Sequence, residues 1–126
     1  MITYEMLVDS GRVSDSVILD FLELFPSGAM ETKEDIERAY DSNIRLWDIV
    51  RAFHKNEFDK PYWQIFRHFS IKLRILEDQI QKLRKAGHTY EEMERLDSER
   101  FGLYLEYWNK SQDAARDFLL NLGGFR

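Results

Sequence analysis

The sequence predicts an all-α protein, a single helical domain over residues 1–126 built as a four- or five-helix antiparallel bundle. Three observations predict it. Apolar residues recur at three- and four-residue intervals along most of the chain, the period of one buried helix face. Glycine and proline are few, six and two, and they punctuate the periodic runs. Hydrophobic residues make up 44% of 126 residues and aromatic residues 14%, enough for a real core; a domain of this length buries roughly two-thirds of its unfolded surface. The long helices are expected near 33–55, 61–86 and 90–122.

The first element is Thr3 to Ser10. Thr3 suits an N-cap and Gly11 stands just past the end. The alternation of Ile2, Tyr4, Met6 and Val8 also fits a strand, but no partner strand is visible, so helix is favoured. Ser14 opens the next helix, with Val13 and Ile18 placed as a hydrophobic staple. Val17, Ile18, Phe21, Leu22 and Phe25 give it one buried face, and "PSG" at 26–28 ends it. Thr32 caps the third helix, with Asp35 completing a capping box and Glu34 and Glu37 favoured by the helix dipole. Its stripe of Ile36, Tyr40, Ile44, Trp47, Val50 and Phe53 runs to about Lys55.

The stretch "KPYWQIFRHFSIKLRILEDQIQKLRKAG", residues 60–87, follows. With Asp59 as N-cap, Phe58 and Trp63 form a second staple, and Pro61 falls in the first turn, where its missing N–H costs nothing. Tyr62, Phe66, Phe69, Leu73, Leu76, Ile80 and Leu83 then stand at alternating intervals of four and three, a heptad seam over three repeats. Gly87 ends it after Lys82, Arg84 and Lys85, whose charges suit a helix C-terminus. "GHT" permits only a tight reversal, and Thr89 with Glu92 makes a T-x-x-E box for the last helix. That helix runs to about Leu122 on a stripe of Met93, Leu96, Tyr104, Trp108, Ala115, Phe118 and Leu122, interrupted by Arg100 and Ser111. Two long helices joined by three residues pack antiparallel.

Net charge is −5, unevenly spread. Residues 1–41 hold 3 basic and 10 acidic side chains, residues 42–89 hold 10 and 5, and residues 90–126 hold 5 and 8. A basic middle between acidic ends implies pairing between neighbouring helices or one positive face. There is no cysteine, hence no disulfide framework, thiolate nucleophile or Cys-ligated zinc. The N-terminus lacks the basic and apolar regions of a signal peptide, and "VILDFLELF" is too short and too charged to span a bilayer. A soluble cytoplasmic protein with no membrane association is expected.

Reaction machinery is sparse. No phosphate-cradling glycine loop, nucleophile elbow or H-E-x-x-H is present, and no histidine follows Glu at the spacing of a di-iron helix. His54, Glu57 and Asp59 flank one loop and could in principle pair as acid and base, but a polar helix end explains them better. His68 and His88 read as solvated. The run Glu91, Glu92, Glu94, Asp97 and Glu99 is what a helix dipole favours in any first turn. No catalytic, cofactor-binding or metal residue is assigned.

The residues left outside the seam are Arg67, His68, Ile71, Lys72, Arg74 and Ile75. They are the candidate partner-binding face. Ile71 and Ile75 are apolar but off the seam, so they meet another helix of the chain, a partner or a second copy.

"ITYEMLVDSG", with "FLELFPSG" after it, resembles the opening of many small uncharacterised phage and prophage proteins. Those begin I-T-x-E-x-L, reach a glycine, then show Phe followed by F-P-x-G. The likeness covers residues 2–28. It implies a mobile-element origin and carries no activity or functional residue with it.

The expected function is therefore non-enzymatic: a helical protein that binds another macromolecule, most naturally a protein, such as a phage-encoded inhibitor or modulator of a host or defence protein. A nucleic-acid binder using the basic face of the 61–86 helix and a structural subunit of a larger assembly are the alternatives. No cofactor is expected, and a homodimer stays open because the last helix outreaches its neighbours.

Overall fold

In the computed structural model, which describes all 126 residues, the first helix starts where Thr3 can cap it. The Thr3 hydroxyl accepts from the Met6 amide at 3.2 Å, and α1 (Tyr4–Ser10) ends at Gly11, whose φ of 63° is the left-handed conformation of a helix terminator. Ahead of it, β1 (Ile2–Thr3) pairs antiparallel with β2 (Ala29–Met30), Ile2 opposite Met30. The strand partner of Ile2–Thr3 is therefore Ala29–Met30, in a two-residue ladder too short to show any periodicity. Between them α2 (Asp15–Leu24) buries Val17 and Phe21. The following Phe25 is buried as well.

The capping box at Thr32 forms as expected. The Thr32 hydroxyl accepts from the Asp35 amide at 3.1 Å, and the Asp35 carboxylate accepts from the Thr32 and Glu31 amides at 3.1 and 2.9 Å. Burial pushes the Asp35 carboxyl pKa up, but those two amides, the Thr32 hydroxyl and Arg38 outweigh it and hold the group below its ordinary value. A carboxylate whose folded-state pKa is depressed contributes stability above its unfolded value, about 4, and loses it as pH falls through the folded value. We therefore expect Asp35→Ala to cost about 1 kcal/mol at neutral pH. The cost should shrink toward zero in melts below the ordinary carboxylate range.

Here α3 (Lys33–Asp41) stops well short of Lys55. Asn43 adopts φ 60°, which ends the helix, and α4 begins afresh at Leu46. Asn is among the few side chains that tolerate the left-handed region. The apolar stripe survives the break because Ile36, Ile44, Trp47 and Val50 are buried on both sides of it. A second boundary also moves. The α4 helix runs Leu46–Ala86, with Pro61 inside and one residue, His54, off helical geometry at φ −134° and ψ 44°. Asp59 is therefore no N-cap; it pairs at 3.6 Å with Arg51, about two helical turns earlier. After the turn at Gly87–Thr89, α5 spans Tyr90–Asn121. Thr89 caps it, accepting from the Glu92 amide at 3.2 Å and donating to the Glu92 carboxylate at 3.1 Å. The fold is all-α, with five helices and 79% of residues helical.

By packing, the chain forms two compact units, Met1–Pro61 with Gln112–Arg126, and Tyr62–Ser111. The first holds most of the core: Leu7, Phe21, Met30, Ile36, Leu46, Ile49, Val50, Phe58 and Leu119 are sealed from solvent. Phe118 packs its ring against Phe58 and His54 within it, at 5.8 and 5.4 Å. The α3–α4 break is tied down by Gln112, itself buried. Its Oε1 accepts from the Leu46 amide at 2.8 Å and its Nε2 donates to the Ile44 carbonyl at 2.6 Å. That amide and carbonyl also bond to each other at 2.7 Å, so one side chain completes the hydrogen bonding of the backbone at the helix break.

The second unit is a hairpin of the C-terminal part of α4 and the N-terminal part of α5. Leu76, Ile80 and Leu96 are its buried centre, flanked by Leu83, Met93 and Leu103. Toward the open end, Phe69 stacks on Tyr107 at 4.8 Å and meets Tyr104 edge-on at 5.0 Å, while the Tyr62 and Tyr107 hydroxyls hydrogen-bond.

Candidate functional site

A two-helix hairpin has only one seam, and this one leaves much of its apolar surface outside it. Of the 23 buried hydrophobic residues of the chain, four lie in 62–111: Tyr62, Leu76, Ile80 and Leu96. Of the 12 large hydrophobic residues that are exposed, eight lie there. Outward-facing apolar area therefore concentrates on the element with the thinnest core.

The six residues predicted as the partner face, Arg67, His68, Ile71, Lys72, Arg74 and Ile75, are all exposed. At about 100° per residue they fall within one sector about 160° wide, centred opposite the Phe69–Leu73–Leu76–Ile80 seam. Ile71 is 51% exposed and Ile75 58% exposed, so each turns about half of its surface to solvent. Lys72 reaches across the hairpin to Glu106 at 3.1 Å, and Glu106 also takes Lys110 at 2.8 Å. Hydrogen bonds from Lys110 first and Lys72 second hold the Glu106 carboxyl below its ordinary pKa.

Two features escaped the sequence pattern. The first is a groove lined by Lys72, Ile75, Leu76 and Gln79 from α4 and by Glu99, Gly102 and Leu103 from α5. Gly102 sits in mid-helix, where glycine is unfavourable by about 1 kcal/mol relative to alanine. A methyl group built on it meets nothing within 4 Å. No packing inside the hairpin therefore requires a glycine there. Gly102→Ala is accordingly expected to stabilise the folded chain by about 1 kcal/mol, read as a raised melting temperature. The second feature is an aromatic stripe on the other flank of α5. Tyr90, Phe101 and Tyr104 share it, and Phe101 is 65% exposed. The seam position expected of Tyr104 belongs instead to Leu103, one residue away. Phe66, expected in the core, sits at the rim, meeting Trp63 at 5.1 Å and Tyr107 at 6.0 Å edge to face. A mid-helix glycine among good helix formers was the one sequence signal that pointed to the groove.

The groups considered for chemistry do not converge. The His54 ring lies against Phe118, Asp59 is taken by Arg51, and Glu57 is exposed. Nowhere do three His, Asp or Glu side chains gather as metal ligands would. Arg100 ties Glu77 at 3.2 Å and Asp97 at 2.9 Å, so part of the acidic run in α5 serves the hairpin itself. No helix is long and apolar enough to cross a membrane.

Comparison with family models, curated proteins and solved structures finds no match to this chain.

Proposed function

We propose that the protein is a non-enzymatic binding module whose contact surface is the outside of the Tyr62–Ser111 hairpin. The observation that carries this reading is the crowding of eight exposed large apolar side chains onto 50 residues with only four buried hydrophobic residues. Aromatic side chains dominate the energetics of protein interfaces because they bury large area at little entropic cost. Trp63, Phe66, Tyr90, Phe101 and Tyr104 supply them here. The charged rim of Arg67, Lys72 and Arg74 would set orientation and association rate more than affinity. A protein is the favoured partner. The hairpin carries nine basic and eight acidic side chains, too balanced for the phosphate neutralisation that drives nucleic-acid binding. The resemblance of residues 2–28 to phage proteins makes a host or defence protein a natural target, inhibited or modulated in the cytoplasm.

The test is photo-crosslinking in the cells that make the protein, with a photoreactive residue in place of Phe101 or Ile75 and, as control, Leu19, which is equally exposed on α2. Discrete adducts from the two hairpin positions and none from position 19 are expected. No adduct from the hairpin, or equal adducts from position 19, would overturn the reading.

A further inference from the structure

We infer that the groove between Ile75 and Gly102 takes a second copy of this chain, so that two hairpins pair about a two-fold axis. The inference rests on the reading of the hairpin as the contact module and names the occupant of one of its flanks.

Three observations select that occupant. The first is Gly102. A glycine in the middle of an exposed helix, with open space where a side chain would stand, permits a second helix to approach the backbone closely. Ile75 lines the same groove, and Ile71 continues the exposed edge one turn away, as apolar contacts for whatever enters. The second is charge. The α4 part of the hairpin, residues 62–86, holds six basic and two acidic side chains. The α5 part, residues 90–111, holds three basic and six acidic. One helix is therefore net positive by four and its neighbour net negative by three. A two-fold axis that lays α4 of one copy on α5 of the other matches opposite signs twice, which is what a self-complementary interface requires. The groove repeats the pattern locally, with Lys72 on one wall and Glu99 on the other. An acidic or a basic partner would satisfy only one of the two helices.

The third is layer count. Helical architectures bury each apolar stripe against another layer. Here two helices share a single seam with three fully enclosed aliphatic residues, Leu76, Ile80 and Leu96. A second hairpin makes four helices and gives Ile71 and Ile75 something to pack against. The aromatic stripe of Tyr90, Phe101 and Tyr104 lies on the other flank of α5 and stays open in both copies. The dimer would then present two identical partner surfaces, and a target with two sites would be held by avidity.

The experiment is sedimentation equilibrium on the purified full chain, the parent beside Ile75→Gln and Gly102→Gln. The parent is expected at twice the 15.2 kDa chain mass. Each substitution should weaken association about tenfold or more. Gly102→Gln puts a good helix former in an exposed helix, so at dilutions where the parent is itself monomeric it should melt at or above the parent temperature; its loss of pairing then cannot be ascribed to unfolding. A parent that stays at the chain mass at every concentration overturns self-pairing. So does a dimer indifferent to both substitutions, or an assembly that grows without closing. If the chain is monomeric but its hairpin still crosslinks to a different protein, self-pairing fails while the binding-module reading stands. If it is monomeric and gives no crosslink, both fail.

Discussion

Leu76→Asp abolishes the folded hairpin: the circular-dichroism melt loses the contribution of residues 62–111, and those residues become the preferred site of proteolysis. Leu76 is buried at the centre of the cluster with Ile80 and Leu96, enclosed by Leu83, Met93 and Leu103. An ionised carboxylate there replaces apolar contacts at the middle of the seam, and a buried charge costs several kcal/mol even after relaxation. The reserve against that loss is small, because only four hydrophobic residues of this unit are buried. Helices of this kind draw most of their stability from tertiary packing of one face rather than from intrinsic propensity. The milder Leu76→Ala should cost about 2–5 kcal/mol. A melt of Leu76→Asp within a few degrees of the parent would mean that the seam is mis-registered.

The second large effect is in the other unit. Gln112→Leu keeps the volume of the side chain and makes it more apolar, yet it is expected to destabilise by about 1–3 kcal/mol. Gln112 is the partner of the Leu46 amide and of the Ile44 carbonyl, in a buried site. Removing it leaves that amide and carbonyl only the bond they make to each other, at 2.7 Å, and a buried polar group that loses a good partner costs about 1–3 kcal/mol. Urea melts of Gln112→Leu, Gln112→Ala and the parent separate the explanations. If packing volume governs the site, Leu is tolerated and Ala is not. If the backbone at the α3–α4 break needs its amide partner, both fail by similar amounts.

Gln112 also shows where pattern reading stops. Its polarity reads as a surface residue on a long helix, and nothing local says that it serves a break 66 residues earlier. The break itself was hidden for a related reason. Ile36, Ile44, Trp47 and Val50 face one core whether or not the helix between them is continuous, so the three- and four-residue intervals pass straight across Asn43. Further along, Pro61 suggested a helix start, whereas the one non-helical residue is His54, a position without a glycine, proline or cap residue to mark it. What the residues did specify was local: Thr3, Thr32 and Thr89 cap their helices, Gly11 and Gly87 take left-handed conformations at helix ends, and the 4–3 spacing from Tyr62 to Leu83 places Leu76 and Ile80 inside. The candidate face was found by subtraction, as the residues outside that seam. Its edge with Gly102 needed the position of a second helix, which no spacing within one helix supplies.

The central proposal is that the outer groove of the hairpin is an interface between two copies of the chain. Since the chain has no cysteine of its own, single replacements report proximity between copies without background. Ile75→Cys and Gly102→Cys, mixed one to one and mildly oxidised, are predicted to give a disulfide-linked pair of chains, because cross-linking requires the two Cα atoms to come within about 7 Å. Leu19→Cys, as exposed as Ile75 but on α2, is predicted to stay monomeric under the same conditions. Linkage at position 19 equal to that of the mixture, or no linkage from the mixture at all, would contradict it.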